Sequence, residues 1–378
     1  MSQSRPTVVV IGAGPAALAA LHRVLAEPGV RPVLVAPGGR SGYLPGALAV
    51  ATGDASIERY RARVEISGVE VVPAAADAIE TGRVHVAGRW IDAQAIIAAP
   101  GLTLAPGGPR RTQAGQGMAA FWDLEGAARV AGVIGAFDRG LVNVVIASAL
   151  YRCPPAPYGL AIRLARRATQ LDLPVRVALT TPEPQPLAAI GSQVSKFLRD
   201  ACADAGVEIF FDTHVDQLAY ADGELRDDAG SALPGDLTVV IPPHTAHPLL
   251  AKLATTGPLV DVDEHGRTAI GGVYAAGDAV KSAYPRATAP AALSGLVAAD
   301  GALADLGFKR APVPATPEPD CFIDQGAGRY SRLQLSYPSG PPPAGSATVT
   351  IGAPALAGLS GFDAALERWR ASCAGPQK

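Results

Sequence analysis

Several functional classes need resources that this chain lacks. It carries four cysteines in 378 residues, at positions 153, 202, 321 and 373, which cannot form the disulfide framework of a small secreted scaffold. Any cysteine that reacts is expected to be catalytic or redox-active. Charged residues are scarce at 17%, and 32 Lys+Arg against 34 Asp+Glu leave a formal net charge of -2. No basic surplus exists to drive counterion release along a phosphate backbone, so nucleic acid is not expected as a partner. No segment reaches ~18 uninterrupted apolar residues, so no membrane-spanning helix is expected.

What is present is apolar material, 48% of the chain, too much for an intrinsically disordered protein and enough for a large core. At roughly 150 residues per domain, two or three domains are expected. Gly 42 and Pro 34 make about a fifth of the chain, below the roughly 25–30% that marks low complexity. Many turns are implied. After Arg5, residues 6 to 21 carry no charge and superficially resemble an export signal. Gly12, Gly14 and Pro15 interrupt that run where a signal helix is continuous, so a buried strand followed by a helix is expected, and a cytoplasmic location with it.

Val8 to Ile11 forms a β-branched run typical of a strand buried on both faces of a parallel sheet. A helix over roughly 15–26 and a strand over 32–35 complete a βαβ unit of about thirty residues. Further strands are expected at 69–72, 83–86 and 95–98, with a Pro/Gly-rich domain crossing at 100–109. A second unit starts at 142, with strands at 142–147, 175–179 and 207–211 and helices at 158–171 and 190–205, like an internal repeat. A strand at 237–241 stops at Pro242-Pro243, and another at 273–276 precedes a helix at 289–305. The tail holds a Pro-rich stretch at 311–319, strands around 322–336 and a Pro/Gly loop at 338–345. Its closing helix is expected to be capped by Ser360, with Asp363 completing a capping box. The fold class is α/β, with two Rossmann-like doubly wound domains and a small C-terminal segment.

Gly12-Ala13-Gly14-Pro15-Ala16-Ala17 fits G-x-G-x-x-G/A between a strand and a helix. Missing side chains at Gly12 and Gly14 let the backbone approach a pyrophosphate, Ala17 allows close packing, and the helix N-terminus favours the negative charge. A merely tight packing turn is the bland alternative. One part is missing: the second strand runs into Ala36-Pro37, without the acid that usually meets a ribose hydroxyl. Later, an apolar strand meets Ala276-Gly277-Asp278. This resembles the second flavin motif of the two-dinucleotide-domain flavoproteins, in which the Asp bonds the ribitol; an N-cap Asp after an ordinary strand is the alternative. Ala95 to Gly101, containing Ala99 and Gly101, resembles the strand before the crossover in that superfamily. Together these segments imply FAD as the cofactor.

The repeat differs from the first unit at its turn. Val145-Ile146-Ala147-Ser148-Ala149 places alanine at both glycine positions, and the added Cβ atoms obstruct a pyrophosphate, so NAD(P)H is not expected there. Next comes Tyr151-Arg152-Cys153-Pro154-Pro155-Ala156-Pro157-Tyr158. Positive potential from Arg152 and a helix N-terminus is expected to stabilise the Cys153 thiolate; a small buried residue in a proline-braced turn is the alternative.

Cys-Pro-Pro-Ala-Pro-Tyr at 153–158 resembles the Cys-Pro-Pro-x-Pro-Tyr-Glu segment of sulfide:quinone oxidoreductases and of the flavoprotein subunit of flavocytochrome c sulfide dehydrogenase. Val177 to Leu187, Val240 to His244 and Gly257 to Asp278 are similar in order and kind, and the resemblance covers most of residues 7–325. It implies that Cys321 pairs with Cys153 at the flavin. Three positions depart from the pattern. The Glu after the tyrosine is Gly159, which puts proton handling in question. No cysteine lies in Ser41-Gly42-Tyr43-Leu44, where the flavocytochrome subunit ties its FAD, so FAD is expected to be non-covalent. None lies between 101 and 152, which leaves a two-cysteine mechanism. In it, hydrosulfide attacks a Cys153–Cys321 disulfide to give a persulfide and a thiolate; electrons then pass through FAD to a quinone.

The expected domains are an FAD domain from 1–105 and 242–310, a second Rossmann-like domain at 106–241 and a C-terminal segment at 311–378 that supplies Cys321. Partners are sulfide or a small thiol or persulfide, and a quinone. Donation to a c-type cytochrome, and a flavin-binding electron-transfer protein without sulfide activity, are the rival readings. Cys202 is expected in the core. Phe362, Leu366, Trp369 and Cys373 share one stripe of the last helix, either a packing face or a shallow contact with the cytoplasmic face of a membrane. His244 and His247 are expected on one helix face, structural or near the active site, with no metal. Lys281 and Arg286 either stabilise reduced flavin or are ordinary solvated charges.

Overall fold

The computed structural model describes residues 5–105, 117–253, 257–309, 311–340 and 347–375. Its first sheet contains β1 (Thr7–Ile11), β2 (Arg31–Val35), β3 (Glu70–Val72) and β4 (Ala95–Ala98). The second contains β5 (Gly117–Ala120), β6 (Gly140–Ile146), β7 (Val175–Thr180), β8 (Val207–Phe210) and β9 (Leu237–Ile241). The late strand β10 (Val273–Ala275) returns to the first sheet, giving the order β10-β4-β1-β2-β3, while the second runs β5-β9-β6-β7-β8. Every pairing in both sheets is parallel. This is the doubly wound α/β architecture expected from two βαβ starts, with β6-β7-β8 repeating the arrangement of β1-β2-β3. β1, β4 and β9 are buried along their whole length, which is why they read as continuous apolar runs rather than alternating ones.

Helix α1 (Pro15–Leu25) begins on an extended Gly14 with Pro15 in its first turn and no acid there, so the turn itself supplies no negative charge to its first amides. It packs against α5 (Thr288–Asp305), the long helix after β10. The close approach needs Gly295, where a Cβ would lie 2.1 Å from the Ala16 carbonyl oxygen. In the second domain α2 (Leu124–Ala136), α3 (Ala156–Gln170) and α4 (Ser192–Asp204) flank the sheet. α3 starts two residues before the expected position, because Pro155 and Pro157 suit a first turn that has no intrahelical donors to lose. Cys202 is fully buried in α4, as expected of a packed residue. Part of the expected domain crossing, residues 106–109, lies outside the described residues.

The tail is an antiparallel sheet, β11 (Asp320–Asp324), β12 (Tyr330–Ser336) and β13 (Thr348–Ile351), followed by α6 (Leu356–Ala374). Ser360 is not its cap. The helix starts four residues earlier, after an extended Ala355 whose amide and carbonyl both bond Tyr330 of β12. That tertiary bridge fixes the entry point, and Asp363 instead pairs with Arg59 at 2.8 Å. Phe362, Leu366, Trp369 and Cys373 are all buried. Their stripe packs on Tyr43, whose ring centre lies 5.6 Å from both Phe362 and Trp369, and on Tyr330. It is therefore a packing face and offers no membrane contact. Among the described residues no helix is long and apolar enough to cross a membrane.

Candidate active site

A cavity of about 560 Å³ opens at the carboxyl ends of β1, β2, β4 and β10, where open α/β sheets place their ligands. Of the residues singled out from the sequence, Gly12, Gly14, Ala99, Gly101, Gly277 and Asp278 line it. Gly12 has φ +111, and a Cβ there would meet the Ala99 carbonyl oxygen at 2.3 Å, so only glycine lets the turn pass β4. Gly14 has nothing within 4 Å of its would-be Cβ and faces open space. Ala17, by contrast, is fully buried and serves packing rather than the cavity wall. No carboxylate ends β2: Val35, Pro37 and Arg40 line that end. Ser41 accepts from Trp369 Nε1 at 3.0 Å and donates to the Ala13 carbonyl at 2.6 Å, so the last helix braces the glycine turn.

Arg152 also lines the cavity. Its Nη2 donates to the Trp122 carbonyl at 2.8 Å, its Nη1 to the Leu102 carbonyl at 3.3 Å, and its own carbonyl accepts from Trp122 Nε1 at 2.7 Å. These contacts hold the turn that presents Cys153, a non-glycine residue at φ +58 whose amide bonds the Arg286 carbonyl at 2.9 Å. Strain of this kind persists only where the surroundings enforce it. Cys321 sits in β11, opposite Leu333.

Both thiols are free and half-buried, and α3, which follows Cys153, packs on β11, which carries Cys321. Burial, then Asp278, pushes the Cys153 thiol up to about 12, with Arg152 opposing. Burial, then Cys153 and Asp320, pushes the Cys321 thiol up to about 12. The expected stabilised thiolate at Cys153 is thus corrected: desolvation and the neighbouring Asp278 outweigh Arg152. Neither cysteine lines the cavity; Cys153 directly follows Arg152, which does.

Several buried polar groups lack partners among the described residues. Arg152 Nε, Arg286 Nε and Nη2, His244 Nε2 and Tyr284 Oη are buried without a hydrogen bond. His244 stands in a strand, His244–Ala246, and not on a helix; its antiparallel pairing with Leu102–Leu104 holds it extended. Its Nδ1 bonds the Pro242 carbonyl at 2.9 Å, and burial with the Arg152 and Arg286 charges lowers its pKa to about 3. His247 instead accepts from the Leu249 amide at 3.2 Å. The Asp278 carboxyl is raised by burial, with Arg152 and Arg286 opposing. Lys281 is solvated and 3.6 Å from Asp261, whereas Arg286 is drawn into the site. Unsatisfied buried donors of this kind fit a polar ring bound among them, and the glycine turn fits a pyrophosphate. The residues therefore suit a dinucleotide.

Glu183 was not singled out from the sequence. It accepts from Tyr158 Oη at 2.6 Å, Thr181 Oγ1 at 3.2 Å and Tyr151 Oη at 3.5 Å. Tyr151 and Tyr158 flank Cys153, so one carboxylate clamps both sides of its turn. The signal was present in Thr-Pro-Glu-Pro, but nothing local says that its Glu points inward. At Gly159 a Cβ would lie 3.5 Å from the Asp324 amide. That side of α3 faces β11, and Arg163 one turn later pairs with Asp324 and Asp54.

The family model for pyridine nucleotide-disulphide oxidoreductases matches residues 6–295. No curated protein sequence matches significantly. The fold is similar to the sulfide:quinone oxidoreductase of the hyperthermophilic bacterium Aquifex aeolicus, at TM-score 0.78 and 15% identity, covering 98% of this chain and 93% of that one. It is similar to the reductase in a covalent putidaredoxin reductase–putidaredoxin complex (TM-score 0.64, 17% identity, 97% and 94% covered). It is also similar to the water-forming NADH oxidase of Lactobacillus brevis bound to NADH (TM-score 0.61, 14% identity, 87% and 75% covered).

Proposed function

The chain belongs to the pyridine nucleotide-disulphide oxidoreductase family, and from that premise we propose that it is an FAD-dependent oxidoreductase of the sulfide:quinone reductase type. Cys153 and Cys321 are its redox pair. The observation that carries the reading is that α3, which follows Cys153, packs on β11, which carries Cys321, beside the Arg152 wall of the cavity. In this reading residues 1–105 and 242–310 form the FAD domain, 106–241 the second domain, and 311–378 the segment that delivers Cys321.

Gly12, Gly14 and the first amides of α1 would hold the pyrophosphate, Asp278 the ribitol, and Ala99, Gly101 and Gly277 the wall along it. Hydrosulfide attacks the Cys153–Cys321 disulfide, the S–S bond breaks, and one sulfur becomes a persulfide while the other leaves as a thiolate. A small thiol or second hydrosulfide takes the outer persulfide sulfur, leaving two cysteine thiolates. The two thiolates would re-form the disulfide, for which FAD, when bound, would supply the acceptor of the electron pair and a quinone the onward acceptor. Tyr151, Tyr158 and Glu183 hold the Cys153 turn through this cycle.

An anaerobic absorption spectrum tests the proposal. Yellow protein that bleaches with sulfide and recovers with a soluble quinone supports it, and recovery with cytochrome c instead would exchange the acceptor. Cys153→Ser and Cys321→Ser should each abolish bleaching; unchanged bleaching would sink the disulfide mechanism. One observation favours a second reading, electron transfer without sulfide chemistry: both thiols are disfavoured as thiolates. Yellow protein indifferent to sulfide would select it.

A further inference from the structure

The unpartnered polar groups around Asp278 specify more than a generic ligand. The Pro242 carbonyl can only accept, so His244 Nδ1 carries the proton of their 2.9 Å bond. Burial, with the Arg152 and Arg286 charges, keeps the ring neutral, which makes Nε2 an acceptor. That Nε2 is buried and has no partner. Arg152 Nε and Arg286 Nε and Nη2 are buried donors without acceptors. Arg152 Nη1 bonds the Leu102 carbonyl in the strand that pairs with His244–Ala246, and the Cys153 amide, next to Arg152, bonds the Arg286 carbonyl, so the backbone brings these three residues together; Asp278 and Arg152 line the cavity there, whereas His244 and Arg286 are not part of its lining. A ligand complementary to these groups presents an N–H donor to His244 and acceptors to the two arginines.

We propose that His244 accepts a hydrogen bond from N3–H of the flavin ring while Arg152 and Arg286 donate to the flanking carbonyl oxygens. The proposal rests on the flavin reading above and adds which side chains read the ring. A pyrimidine edge shows acceptor, donor, acceptor in that order; water or a phosphate does not show that order on a planar edge. Each buried group left unmatched carries the full cost of its desolvation, so the match should weigh heavily in affinity.

The test compares FAD with its 3-methyl analogue, whose N3 has no hydrogen, for binding to the apoprotein by fluorescence titration. The wild-type protein should bind FAD about ten- to a hundredfold more tightly than the analogue, the span expected for losing one such bond. In His244→Ala, that preference should shrink toward unity, because the acceptor is gone and a methyl group finds room. Equal affinity of the wild-type protein for both flavins would overturn the assignment, and this arm needs no variant to fold. A His244→Ala protein that is folded by circular dichroism and keeps the full preference would overturn it too. No affinity for either flavin would instead overturn the flavin reading on which it stands.

Discussion

A thiol pushed up to about 12 is almost entirely protonated at neutral pH, and Cys153 and Cys321 both stand there. The attacking species is the thiolate, so the reduced protein should alkylate slowly with iodoacetamide at pH 7 and about tenfold faster for each pH unit toward 12. Asp278→Asn removes the second cause of the Cys153 shift, after burial, and should speed alkylation of Cys153 at fixed pH. Fast, pH-independent labelling at pH 7 would contradict the burial argument. The linkage has one sign: the folded pKa lies above the unfolded value of roughly 8.5, so stability from the neutral thiols is complete below that pH and is lost as pH rises through about 12. Glu183 makes a second test at this scale. Glu183→Ala strands the buried Tyr158 hydroxyl and should cost about 1–3 kcal/mol in denaturant unfolding, while Glu183→Gln, which keeps an acceptor, should cost less.

At the scale of elements, the two dinucleotide-type starts were legible because each carries its own period and punctuation. Val8 to Ile11 announces a buried strand, Gly12 to Ala17 the turn, and both stand where expected. The start of α6 was not legible, because a bridge between Ala355 and Tyr330, distant in the chain, overrides the local Ser360 signal. His244 misled for the same reason: two residues at helical spacing lie on a strand set by pairing with Leu102 to Leu104. The site divides likewise. Glycines announce themselves through what they lack, whereas Glu183 and the buried nitrogens of Arg286 and His244 depend on long-range burial that no local pattern encodes. Gly295 bears on the same point, an apparently ordinary residue in an Ala-rich helix. Gly295→Ala drives a methyl group into the Ala16 backbone, so α1 must move from α5, at a cost of about 1–3 kcal/mol. The shift carries Gly14 and Pro15 with it, and FAD should dissociate more readily, measurable by flavin fluorescence on dilution. Unaltered retention would show that α1 and α5 can separate without disturbing the glycine turn.

Across the whole molecule, redox chemistry between residues 153 and 321 requires three parts of the chain to hold one register. Arg163 lies on α3, ten residues beyond Cys153; Asp324 ends β11, three beyond Cys321; Asp54 belongs to the first domain. Arg163 pairs with both acids, and the side chains of Arg163 and Asp324 are only 14% and 4% exposed. Removing one partner of a buried pair leaves an uncompensated charge, a loss of about 3–5 kcal/mol. The two removals are unequal. Asp324→Ala leaves Arg163 with Asp54 at 2.6 Å, whereas Arg163→Ala leaves Asp324, among the described residues, with the Gly326 amide at 2.8 Å. Arg163→Ala should therefore be the more destabilising, and the double variant should cost less than the two single losses added together. The functional consequence is separable from stability. If this pair registers β11 against α3, both single variants should form the Cys153–Cys321 disulfide less readily in a glutathione redox titration, at temperatures where they remain folded. Undiminished disulfide formation would transfer that task to the aromatic packing of Phe362 on Tyr330 and Tyr43, which joins the same tail to the first domain from the other side.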